Sequence, residues 1–244
     1  MGAPLRLTAS DSWGEDFMVP ADAEIVIEGH VLPDVKEVEG PFGEFTGYYG
    51  PQRLRNVIEI TAITHRRNAI FQHIFTGHRD TWVLGGIPKE GSLFNLIRGV
   101  VPTTKAVHFP ISGCCRFNCY ISIDKKVDGE TKQAALAALG GCDFVKHVVV
   151  VDADINIYNE EEVMWAVATR VQADQDVDII KNVKGNTLDP SQTDNIMTAK
   201  MIIDATRPLQ RPFEARVEVP KTVMAKTRLE DFIPRSLVDR LPKV

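Results

Sequence analysis

The sequence predicts a mixed α+β fold: an antiparallel, β-rich first part, a compact α/β layer after it, and an extended tail. Three observations predict it. Short β-branched runs stopped by glycine and charged turns fill residues 1 to about 80. Apolar strand runs then alternate with helical patterns up to about residue 190. Beyond that, Pro190, Pro208, Pro212, Pro220, Pro234 and Pro242 break the chain, and regular pattern fades from Asn186 onward. The expected division is 1–100, 101–190 and 191–244.

Each element has its own warrant. Glu24-Ile25-Val26-Ile27-Glu28 is short, β-branched and ended by Gly29, which reads as a strand. Asn56 to His65 interleaves polar and apolar residues, a second strand. Arg66-Arg67-Asn68 reads as a turn, with Ala69 to Phe75 returning as a third strand in a hairpin. Three strands are too few for a barrel of their own, so this part belongs to a larger sheet. Ser92 to Val100 is a short helix or turn with Leu93, Leu96 and Ile97 on one face. Lys105–Phe109 and Phe117–Ile123 are strands. Glu130 to Leu139 is a strong helix by propensity, stopped by Gly140-Gly141. Lys146 to Asp152 is continuously apolar at its centre, as in a strand covered on both faces. Asn159 caps a helix with Glu160, Glu161 and Glu162 in its first turn and Arg170 in its last. Val177 to Ile180 is one more strand, and in the tail only Arg228 to Leu241 looks helical.

Composition excludes several function classes. The 244 residues are 44% hydrophobic and 25% charged, the balance of a globular protein with a sizeable core. A net charge of −5 without a long basic run gives no nucleic-acid footprint. No apolar run reaches the roughly 18 residues that a membrane span needs. Met1 to Leu7 lacks the apolar core of a secretion signal. Cys114, Cys115, Cys119 and Cys142 lack zinc-ribbon spacing and read as structural thiols, so the expected setting is cytoplasmic.

The chemistry concentrates in Glu39-Gly40-Pro41-Phe42-Gly43-Glu44-Phe45-Thr46-Gly47-Tyr48-Tyr49-Gly50. On an unbroken strand, Glu39 and Glu44 would face opposite sides of the sheet. A turn at Pro41-Phe42-Gly43 lets both converge. Convergent carboxylates suit proton transfer, because repulsion and desolvation raise at least one pKa. The alternative is a pair of solvated loop charges. Taken from its strand alone, His73 reads as a histidine satisfied within the sheet. His78, with Arg79 and Asp80, reads as a salt-bridged loop. His30, His65, His108 and His147 read as structural, and Asp152 and Asp154 end a strand, where open α/β sheets often place ligands.

From Glu39 to Gly50 the chain resembles the UbiD family of reversible decarboxylases, which use prenylated FMN. The resemblance extends through Val19–Gly29, Val150–Ile155, Val163–Arg170, Gly185–Pro190 and Lys200–Thr206, in family order. It implies that residues 1–100 are part of a split-barrel-like flavin domain. It implies a catalytic Glu-Arg-Glu network in which Glu44 is proton donor and acceptor and Glu39 supports it. It also implies a substrate pocket touched by Phe42 and His73, and an aromatic or α,β-unsaturated carboxylic acid, with carbon dioxide, as the reacting small molecules. Prenylated FMN, a divalent metal (Mn or Mg) and K are the implied cofactors. Family members are about twice this length, and their preceding half carries the arginine, the metal ligands and most of the flavin site. Where the family has a metal-ligand glutamate, the matching stretch Pro4–Leu7 offers Arg6. No cofactor or metal ligand is therefore assigned to this chain. Three expectations stand: a C-terminal half that works in a homo- or hetero-oligomer with an N-terminal-half UbiD-like subunit, a truncated piece, or a non-catalytic assembly or regulatory subunit.

Overall fold

A computed structural model describes residues 4–192 and 196–238. It is a mixed α+β fold, and among the described residues no sheet closes into a barrel. The chain divides into two compact units after Arg207.

The first unit opens with two antiparallel ribbons. β1 (Leu7–Ser10) pairs with β2 (Gly14–Pro20). β3 (Ile25–Glu39) pairs with β4 (Arg53–His65). The sequence pattern gives only the first residues of β3, within Glu24–Glu28, and neither β1 nor β2. It also expected a hairpin across Arg66–Asn68 with a third strand at Ala69–Phe75. That expectation is wrong: residues 66–78 are irregular, and the partner of β4 is β3, across a loop of residues 40–52. The reason is local. Glu24 accepts hydrogen bonds from Ile70 N at 3.0 Å and from Arg66 Nη1 at 2.9 Å, so this stretch wraps around a carboxylate. Ile70 N, which a third strand could offer to a ladder, is engaged with that side chain instead.

Helix α1 (Arg79–Val100) is far longer than the short helix expected at Ser92–Val100. Gly85, Gly86 and Pro88 read as breakers in the sequence. Here the two glycines let the helix approach the 113–117 loop. A Cβ on Gly85 would lie 1.8 Å from Arg116 Nη2, and one on Gly86 2.8 Å from Cys115 Cβ. Tertiary packing overrides the propensity.

The α/β layer is a five-stranded sheet in the order β5-β6-β7-β9-β8. Its strands are β5 (Thr104–His108), β6 (Asn118–Ile123), β7 (His147–Asp152), β8 (Val177–Lys184) and β9 (Met197–Ala205). The inner pairs β6–β7 and β7–β9 are parallel, while β5 and β8 run antiparallel at the edges. Two-residue alternation sorts β7 between two cores. Val148 and Val150 face α1 and α2 (Glu130–Gly141), packing with Leu93, Ile97, Ala134 and Ala138. Val149 and Val151 face α3 (Glu160–Arg170), packing with Val163 and Ala166. Asn159 caps α3 by accepting from Glu161 N at 3.1 Å. β9 corrects the reading that regular structure ends at Asn186. Lys200 and Asp204 disguise it in the sequence, yet it lies inside the sheet, with Lys200 1% exposed.

The second unit, Pro208 onward, has α4 (Lys221–Met224), a 3-10 turn at Leu229–Asp231 and α5 (Arg235–Val238). The helix expected over Arg228–Leu241 is thus two short pieces, and its last residues lie outside the described ones.

Candidate functional site

The site lies at the end of the β3–β4 ribbon. The loop of residues 40–52 folds on itself: Glu44 N donates to Tyr48 O, Gly47 N to Glu44 O and Gly50 N to Phe42 O, at 2.9–3.0 Å. Gly43 and Tyr49 make an isolated antiparallel bridge. This small hairpin is what the closely spaced glycines of the motif permit. Phe45 then anchors it. The ring is 7% exposed, 5.5 Å from Phe117 and 5.7 Å from Phe144. Trp82 Nε1 of α1 donates to the Phe45 carbonyl. Burying Phe45 fixes the backbone on which its neighbour Glu44 stands.

Glu44 is half-buried and packs against Gly50, where an added Cβ would lie 3.1 Å from Glu44 Cγ. Two adjoining clefts share it. The smaller, about 30 Å3, is lined by Glu39, Phe42, Glu44, Arg53, Arg55 and Leu188 among others. The larger, about 300 Å3, runs from Glu44 past Thr46, Tyr48, Tyr49 and Arg53 to the loop of residues 187–192. So Glu39, Glu44 and Phe42 share the lining of one cleft. His73 lines neither, and is exposed in the irregular stretch after β4.

Two arginines that the sequence reading did not single out belong to this cleft. The antiparallel register sets Arg53 opposite Glu39 and Arg55 opposite Glu37. Alternation puts all four on one face of the ribbon. Arg55 Nε lies 3.5 Å from Glu39 Oε2, and Arg53 Nη2 donates to Thr187 O at 3.4 Å. The available signal was the Arg-x-Arg spacing in an alternating strand, but its partner depended on a register unknown beforehand.

The 187–192 wall is stiffened from behind. Asp189 is buried and pairs with Lys146 Nζ at 2.8 Å, while also accepting from Ser191 N at 3.0 Å. Burial pushes its carboxyl up, but the Lys146 and Ser191 bonds outweigh that and hold it below the usual range.

Elsewhere the candidate acids are engaged. Asp152 and Asp154 clasp Arg170, at 2.7 and 3.0 Å. Arg6 pairs with Asp22, its Nε donating at 3.0 Å. Among the described residues, no group of three or more His, Cys, Asp or Glu side chains is placed to hold a metal ion. The cleft at Glu44 does not by itself suit a flavin nucleotide. Its two arginines, the groups that could hold a phosphate, are engaged with Glu39 and Thr187. No helix among the described residues is long and apolar enough to cross a membrane.

Two family models match the chain. The 3-octaprenyl-4-hydroxybenzoate carboxy-lyase Rift-related domain of UbiD covers residues 1–79, and the C-terminal domain of the same carboxy-lyase covers residues 82–205. Anhydromevalonate phosphate decarboxylase of Methanocaldococcus jannaschii is 39% identical over 207 residues, spanning 84% of this chain and 49% of that protein. Phenolic acid decarboxylase of Sedimentibacter hydroxybenzoicus is 38% identical over 213 residues, spanning 85% and 44%. Among solved structures, the UbiD-class enzyme HmfF from Pelotomaculum thermopropionicum in complex with FMN superposes with a TM-score of 0.86. The two are 49% identical, over 96% of this chain and 52% of that one. An evolved dimeric form of HmfF, in complex with prFMN, has a TM-score of 0.80 at 45% identity, covering 96% of this chain and 50% of that one. The chain spans about half the length of the curated relatives it matches.

Proposed function

The chain belongs to the UbiD carboxy-lyase family, and from that premise we propose that it forms the C-terminal half of a reversible decarboxylase for an aromatic or α,β-unsaturated carboxylic acid. The observation that carries this reading is the cleft shared by Glu39 and Glu44 at the tip of the β3–β4 ribbon. Glu44 is the acid. Once carbon dioxide leaves and its bonding electrons stay on the substrate carbon, the Glu44 carboxyl delivers a proton there and becomes a carboxylate. In carboxylation it takes the proton back. Glu39 supports the network and Phe42 walls the substrate side, in keeping with their places on the same cleft. The assignment of His73 to the substrate pocket rests on the resemblance.

Prenylated FMN, with a divalent metal and K, is held in this reading by an N-terminal-half UbiD-like region that completes the oligomer. Two findings support such a partner. The relatives carry about as much chain again. The β3–β4 ribbon also leaves apolar side chains open, among them Val38 at 64%, Leu54 at 63%, Ile58 at 61% and Ile63 at 59%. A two-stranded ribbon is marginal alone and needs such cover. Four free cysteines, one of them fully buried, suit a cytoplasmic setting.

The test is Glu44→Gln in the complex assembled with an N-terminal-half subunit and prenylated flavin. Decarboxylation is expected to fall by at least about 100-fold, the scale of a lost general acid, with assembly intact. Persisting activity overturns the catalytic reading and leaves an assembly subunit.

A further inference from the structure

The resemblance places the arginine of the Glu-Arg-Glu network outside this chain, yet Glu39 already has an arginine partner on it. We propose that Arg55 is a positioning residue that orients the Glu39 carboxylate toward the Glu44 cleft, a role separate from that of the arginine expected on the other half. The inference rests on the catalytic reading of Glu39 and Glu44 above.

Geometry carries it. β3 and β4 pair with Glu39 opposite Arg53 and Glu37 opposite Arg55. Arg55 does not stop at its direct neighbour but reaches diagonally, its Nε 3.5 Å from Glu39 Oε2. Diagonal cross-strand neighbours lie within reach of long side chains. Arg53, the directly opposite residue, turns the other way and donates to the Thr187 carbonyl at 3.4 Å. The division of labour leaves Arg55 to hold the carboxylate while Arg53 ties the ribbon to the 187–192 wall. Both arginines and both glutamates line the same small cleft.

Energetics favour orientation over stability as the purpose. The side chains are 55% and 53% exposed, and an exposed ion pair contributes little to folding. Glu39 is the last residue of its strand, where the backbone turns away into residues 40–52. Without a lateral partner its carboxylate is free to swing among rotamers. A guanidinium on the neighbouring strand removes that freedom, and does so more strongly once a partner covers the ribbon and lowers the local dielectric.

The experiment is a double-mutant cycle in the assembled, flavin-loaded complex. Arg55→Gln is expected to lower kcat about 10- to 100-fold, the size seen when an outer partner that orients a reacting group is removed. KM should stay within about twofold, the pattern of an interaction absent from substrate binding. Arg55→Lys should recover part of the loss. Added to Glu39→Gln, Arg55→Gln should cost almost nothing further, because it acts through Glu39. The thermal midpoint and the visible spectrum of the bound flavin should not move, which separates positioning from a structural or loading defect. Additive losses, an unchanged kcat in Arg55→Gln, or a loss that tracks the midpoint would each overturn the inference. Glu44→Gln runs beside it: if that variant is dead while the cycle is additive, the positioning role fails and the catalytic reading stands.

Discussion

Replacing Arg170 with Met should remove about 3 kcal/mol of stability. The guanidinium is 2% exposed, with Nη1 2.7 Å from Asp152 Oδ2 and Nη2 3.0 Å from Asp154 Oδ2. Its Cζ also lies 5.5 Å from the centroid of the Trp165 ring. Removing one partner of a buried ion pair costs about 3–5 kcal/mol, because the remaining charge stays desolvated. Two features lower the figure here. Asp154 is a third exposed, and Arg207, at 3.5 Å from Asp152 and 3.7 Å from Asp154, remains to offset part of the loss. Arg207 is 43% exposed, so its compensation is about 1 kcal/mol or less. The assay is urea unfolding followed by far-ultraviolet circular dichroism, and the expected drop corresponds to about 6–12 °C in Tm. Acid supplies an independent check. Burial pushes the Asp154 carboxyl up, but the Arg170 hydrogen bond and the charges of Arg170 and Arg207 outweigh it and hold it below its usual range. A carboxylate with a depressed folded pKa contributes stability that is fully present above its unfolded pKa of about 3.9. That stability is lost as pH falls toward the folded value. The gap between native protein and Arg170→Met should therefore narrow below about pH 4. A loss under about 1 kcal/mol, or a gap unchanged between neutral and acid pH, would refute the assignment of Arg170 as the clasp of β7 and α3.

Two further outcomes are expected. Gly50→Ala would set a Cβ 3.1 Å from Glu44 Cγ and 3.2 Å from its Oε1, so kcat in the loaded complex should fall about 10- to 100-fold through misplacement of the carboxyl. An unchanged kcat would show that the acid tolerates the shift. Lys200→Met tests the cation buried under α2, whose Nζ donates to Leu139 O at 3.1 Å and Cys142 O at 3.4 Å. Burial pushes that amine down, so the unfolded chain binds more protons between its folded pKa and about 10.4, and stability relative to Lys200→Met should rise with pH through that window. Urea midpoints that run parallel in the two proteins from pH 7 to 10 would contradict it.

The parts legible beforehand were those written in local pattern. Val148 to Val151 alternates between two cores, and a run apolar at every position can do so only when both faces are covered. Asn159 and the three glutamates after it mark the start of α3. The acidic turn stood out because a Gly-Pro-Phe-Gly turn between two glutamates lets their side chains converge, although that spacing alone also fits solvated loop charges. What escaped was regular structure whose signal is set by distant contacts. α1 runs through Gly85 and Gly86, where the 113–117 loop leaves no room for a Cβ, and it carries Pro88 inside it. β9 keeps Lys200 in the sheet because two carbonyls from the end of α2 receive its amine. The strand expected at Ala69–Phe75 was lost to Glu24, 46 residues from Ile70.

The sequence by itself determined the family pattern, the two glutamates and the alternation of apolar residues that builds the α/β layer. Each of these lies in neighbouring residues, where side-chain period and turn chemistry act directly. Only the tertiary structure decided who stands beside those glutamates. A hairpin register one residue different would send Arg53 and Arg55 to the opposite face of the ribbon. The register seen here instead sets Arg55 on Glu39 and Arg53 on the 187–192 wall, because pairing across strands is a property of two segments together and not of either alone.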